Sequence, residues 1–87
     1  MPWRVVDVAP LAGFRLSVRF VDGKTGTVDL SVLIGSAHAG VFAPLADPAL
    51  FAQVFVENGA VTWPGELDLA PDAMYTEIKN FGEWKLT

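Results

Sequence analysis

The sequence contains no cysteine, which excludes disulfides, thiolate chemistry and zinc–sulfur sites together. Positive charge is thin as well. Arg4, Arg15, Arg19, Lys24, Lys79 and Lys85 are the only basic residues apart from His38, and they are scattered along the chain. A protein that grips DNA or RNA sets a basic stripe against the phosphates, so no direct nucleic-acid contact is expected. Long apolar runs are missing, and none approaches the roughly 20 residues of a membrane-spanning helix. Asp7 cuts short the apolar stretch after Met1, so no signal-peptide core is read there and no membrane role is expected. These absences fit a cytoplasmic protein of prokaryotic type.

What is present is apolar and acidic. Hydrophobic residues make up 52% of the 87 positions, and the net charge is −4. A chain this long forms one domain. It buries only about two-thirds of the surface it exposes when unfolded. More apolar area is available than such a core conceals, and monomers seldom leave large apolar patches in water. A protein partner or self-association into a dimer is therefore expected.

Alternation supplies the strands. Phe14, Leu16, Val18 and Phe20 point one way while Arg15, Ser17 and Arg19 point the other. Asp22-Gly23 suits a type I′ hairpin turn, and the return strand from Lys24 to Leu30 places Val28 and Leu30 inward. Arg4 to Ala9 reads as a preceding strand that ends before Pro10 and Gly13. Asp47-Pro48 starts a short helix with a side-chain cap and a proline at its first position. Asn58-Gly59 joins a second hairpin, 54–57 to 60–63. Pro71 starts another helix, with Met74 and Ile78 on one face. Residues 31–43 read as one helical turn followed by a loop, because Gly35 and Gly40 break a longer helix. The expected fold class is α+β: a three-stranded antiparallel meander plus a second hairpin, covered by two short helices. Residues 1–79 make the compact domain, and 80–87 make a C-terminal tail.

The succession of these elements resembles a known family. The strands around Asp22-Gly23 end in Val28-Asp29-Leu30. Val41-Phe42, Leu45, Phe51, Gly59-Ala-Val-Thr-Trp63 and Asp68-Leu-Ala-Pro-Asp-Ala-Met-Tyr75 follow in order. Together they resemble the small prokaryotic family called domain of unknown function 2442, over about Val5 to Tyr75. Ala70 departs from the serine usual before that proline, which removes a helix-capping hydroxyl. The resemblance implies a small α+β domain with antiparallel strands. Some relatives carry a fused helix-turn-helix domain, and many are encoded beside a second small protein in a toxin–antitoxin-like arrangement. It implies no catalytic residues. Residues 76–87 leave no room for a helix-turn-helix, so the DNA-binding role of fused relatives is not expected here.

The residues with chemical potential have plain structural readings. Glu66, Asp68 and Asp72 are the one carboxylate cluster, and the favoured reading is a solvated loop leading into a helix start that prefers acids. His38, the sole histidine, reads as an exposed loop residue, with no motif around it that would make it a base. Trp63 is in phase with Val61 and reads as core. Trp3 and Trp84, near the two termini, are open to either partner contact or packing, and Phe81 accompanies Trp84. No catalytic, cofactor or metal residues are expected. The expected function is a non-catalytic protein-interaction domain, in concrete form the antitoxin-like partner of a small toxin-like protein. The alternative is a ligand-sensing or regulatory domain related to those fused to helix-turn-helix domains, holding a metabolite between sheet and helices.

Overall fold

Alternating side chains build the main sheet. In the computed structural model, which describes residues 1–87, β1 (Val5–Leu11), β2 (Arg15–Phe20) and β3 (Thr25–Asp29) form the expected antiparallel meander. Leu16, Val18, Phe20 and Val28 are buried on one face; Arg15, Ser17 and Arg19 stand in water on the other. Phe14 departs from the strand. It lies in the turn at φ 57, unusual for a bulky residue, with its ring edge-on to Phe51 at 5.4 Å.

The β2–β3 turn differs from the expected type I′. Only Gly23 has positive φ, and Phe20 bonds to both the Gly23 N–H and the Lys24 carbonyl. That is a three-residue loop ending in a left-handed glycine, which adds one residue and twists the hairpin. Asp22 explains the choice, because its carboxylate accepts from the Lys24 N–H at 2.9 Å. The second hairpin meets its expectation. Asn58 and Gly59 both have positive φ between β4 (Phe55–Glu57) and β5 (Ala60–Trp63). A short strand, β6 (Leu67–Asp68), pairs with β5 and completes a second sheet.

Three helices and a 3₁₀ segment cover the sheets. α1 (Ser31–Ile34) is the expected single turn; the expected loop gives way at Gly40 to a 3₁₀ stretch, Gly40–Ala46. α2 (Pro48–Phe51) is capped by Asp47, whose side chain accepts from the Ala49 N–H at 3.0 Å. α3 (Pro71–Phe81) buries Met74 and Ile78 against the main sheet. Its cap residue Ala70 makes no side-chain hydrogen bond.

The reading of 80–87 as a tail outside the domain is corrected by the chain's path. Asn80 and Phe81 complete α3, and Gly82 ends it at φ 73 with its N–H on the Ile78 carbonyl. This turn sends residues 83–85 back to the sheet as β7 (Glu83–Lys85), parallel to β3, so the order is β1-β2-β3-β7. A parallel strand reached through a helix leaves no local signal.

One core joins both sheets. Trp63 is fully buried, and its indole N–H donates to the Phe51 carbonyl at 2.9 Å, so its polar atom is satisfied. Leu16, Phe20, Leu45, Leu69, Met74 and Ile78 fill the remaining space. Gly26 lets α3 approach. A Cβ there would lie 2.5 Å from Ile78 Cγ2 and 2.8 Å from the Gly82 carbonyl oxygen.

Candidate interaction site

Two of the three aromatic residues singled out near the termini come together. Phe81, in the last turn of α3, is 74% exposed. Trp84 lies opposite Val28 in the β3–β7 ladder and is half-buried against the core. With Glu77, Glu83 and Lys85 they line an open groove of about 290 Å³. The other side of Trp84 faces a second depression lined by Asp72, Ala73, Thr76 and Glu77. Trp3 is half-buried in the turn before β1 and does not line this groove.

The setting differs from the apolar sheet face that hydrophobic excess alone suggests. The outward face of the main sheet is mostly polar: Asp7, Arg15, Ser17, Arg19, Thr25 and Glu83 share it with Ala9 and Leu11 near one end, and Arg19 meets Asp7 at 3.8 Å. Apolar contact is available instead at the sheet's edge. β7 has a neighbour on one side only. Thr27 donates to the Gly82 carbonyl and Leu86 donates to the Asp29 carbonyl, so the even-numbered residues face β3. The N–H and C=O groups of Glu83 and Lys85 therefore point away from the sheet. An edge with free backbone groups and an exposed aromatic beside it is a template for another chain.

A second apolar depression, about 400 Å³, was not legible beforehand. Val41, Phe42, Pro44, Leu50 and Leu67 line it, beside the exposed Glu66 and Asp68. Its walls come from the 3₁₀ segment and the β5–β6 turn, neither of which carries a periodic pattern. The Val41-Phe42 pair was the available signal.

The chemically suggestive residues remain apart. Glu66 lies at φ 65 in the β5–β6 turn, and Asp72 accepts from the Ala73 N–H at the start of α3. No three of the acids and His38 group as ligands for one ion. His38 is exposed, and its backbone N–H donates to the Ser36 hydroxyl at 3.1 Å. The perturbed groups lie elsewhere. The Tyr75 hydroxyl donates to Asp22 at 2.7 Å, which lowers the Asp22 pKa and raises that of Tyr75. The Ser31 hydroxyl and N–H do the same for Asp29, holding it below the ordinary carboxylate value. Both arrangements are structural: one ties α3 to the β2–β3 turn, the other starts α1.

Comparison with known families bears out the resemblance. The family described as protein of unknown function (DUF2442) matches residues 5–80. The chain belongs to this family. No curated protein and no solved structure matches it. No helix is long and apolar enough to cross a membrane.

Proposed function

We propose that this DUF2442 chain is a non-catalytic protein-interaction domain that presents its α3–β7 edge to another polypeptide. The observation that carries the reading is an exposed Phe81 beside a half-exposed Trp84, at a strand edge whose backbone groups are unpaired. Aromatic anchors in such settings dominate interface energies. The concrete form is an antitoxin-like partner of a small toxin-like protein in a prokaryotic cytoplasm, supported by the family resemblance and by the acidic charge, which speeds encounter with a basic partner. Direct contact with nucleic acid has no part in it, since the six Lys and Arg residues form no stripe.

The ligand-sensing alternative requires an enclosed apolar pocket between sheet and helices. The positions that would wall one are occupied by Leu16, Phe20, Met74 and Ile78 packed together. Co-expression with the protein encoded by the adjacent gene tests the interaction reading. The two should copurify, and Phe81→Ala should weaken the complex at least about tenfold, as an anchor residue does. Failure to copurify overturns the antitoxin-like form of the reading, and a complex indifferent to Phe81→Ala overturns the assignment of this edge.

A further inference from the structure

The β7 edge is complementary to itself. We propose that two copies of this chain pair antiparallel along β7 about a two-fold axis at Trp84, with Glu83 of each opposite Lys85 of the other. The inference rests on the reading of this edge as the interaction surface and names one occupant for it.

Three observations converge on that register. The outward-pointing backbone groups belong to Glu83 and Lys85. Antiparallel strands exchange both N–H···O bonds between directly opposed residues of this outward-facing kind. With Trp84 on the axis, Glu83 meets Lys85 of the other copy twice, and four backbone bonds form. Charge is the second observation. Glu83 and Lys85 share the polar face of the sheet and lie 3.9 Å apart within one copy, at exposed side chains. In the pair each gains an opposite charge directly across the junction, the arrangement that stabilises neighbouring strands. A register shifted by one residue sets each outward-pointing residue opposite one whose groups already bond β3, and the bonds are lost.

The third observation is apolar. Trp84 shares the inner face with Val28, and Phe81 lies beside it in the groove next to α3. Pairing at β7 brings the two grooves together, so Phe81 and Trp84 of both copies leave water. This is the isologous contact that two-fold symmetry requires, the same patch on each subunit. The strand is only three residues long, so association is expected to be reversible and concentration-dependent. Glu77 of each copy stands on the groove rim, a like-charge cost that Glu77→Gln removes.

Sedimentation equilibrium over a concentration series reads the association directly. Wild type should move from monomer to dimer. Glu83→Lys and Lys85→Glu should each weaken association by roughly tenfold or more, because both cross-strand pairs become like-charged. An equimolar mixture of the two variants should recover it, since every junction pair is then opposite in sign. The exposure of both side chains keeps folding separate, and circular dichroism verifies it.

The cysteine-free chain offers a second measurement. Trp84→Cys should form an intermolecular disulfide under mild oxidation, because opposed residues on the axis are about 4.5 Å apart at Cα. Thr25→Cys, on the same sheet but away from the edge, should not. A wild type that stays monomeric to its solubility limit overturns the dimer, as do single variants that associate like wild type, or a mixture that fails to recover. A monomer that still copurifies with its gene neighbour would sink this inference and leave the proposed function standing.

Discussion

The two edges of the main sheet are built to opposite ends. β1 is closed by three devices. Val5 and Val6 together oppose Phe20 in a bulge, and the Val5 N–H is taken by the Gly59 carbonyl of the second hairpin at 2.9 Å. Pro10 places its missing N–H on the outward side, because Ala9 and Leu11 are the residues that face β2. β7 carries no proline, bulge or cover. The edges are also attached differently. β1 joins β2 through a tight turn, whereas β7 reaches β3 only through α3 and the second sheet. What seats α3 therefore seats the open edge, and the protected edge should be indifferent to it.

Gly26→Ala is the strongest way to break that asymmetry. The added methyl would collide with Ile78 and with the Gly82 carbonyl, and backbone cannot swing aside as a flexible side chain can. Overpacking of this kind costs about 1–3 kcal/mol. Urea denaturation should show that loss, with hydrogen exchange rising in β7 and unchanged along β1–β2. Equal loosening of both edges would refute the idea that α3 alone holds β7. Ala70→Ser works in the opposite direction and more weakly. Ala70 occupies the cap position at φ −64 and ψ 112 without a capping bond. A serine hydroxyl there should add about 1 kcal/mol, a rise in Tm of roughly 4–8 °C for a domain of this size.

The same contrast explains what the residues disclosed in advance. The meander, the Asn58-Gly59 hairpin and the α3 face of Met74 and Ile78 were legible because each is a local pattern of period 2 or 3.6. β7 was not, since Glu-Trp-Lys offers three positions and its partner strand lies across the whole second sheet. Phe81 and Trp84 were recognisable only as aromatics near a terminus. Their shared groove, and the meaning of opposite charges two residues apart, exist only once Gly82 has turned the chain back. The Asp22 turn failed for a similar reason: its side-chain bonds to Lys24 and Tyr75 favour a form that the dipeptide alone does not reveal.

Lys85→Pro transplants the device of Pro10 to the open edge. The Lys85 N–H points outward, so its loss leaves the β3–β7 ladder intact. An edge strand tolerates proline where the lost N–H faces outward, so the fold should survive with a smaller loss than Gly26→Ala causes. Association in the ultracentrifuge should nevertheless disappear. A variant that still dimerises would show that backbone pairing at β7 is not the contact.

The mildest probe concerns the other tether of α3. Tyr75 is the only tyrosine in the chain, so tyrosinate absorbance reports this residue alone. Its hydroxyl must keep its proton to donate to Asp22, which places its pKa above the ordinary 10.0. Asp22 must stay ionised to accept, and the Tyr75 hydroxyl, then the Lys24 N–H, hold its pKa below 3.8. The raised group stabilises the fold fully below pH 10.0 and loses that contribution as pH climbs through its folded value. The lowered group contributes fully above pH 3.8 and loses it as pH falls through its folded value. Between those limits the tether is closed, and because both groups are exposed its weight is small. The Tyr75 titration midpoint should stand above 10.0 in wild type and fall back toward it in Asp22→Asn. A midpoint identical in the two proteins would remove Asp22 from the seating of α3 and leave Gly26 and the buried Ile78 to hold the edge alone.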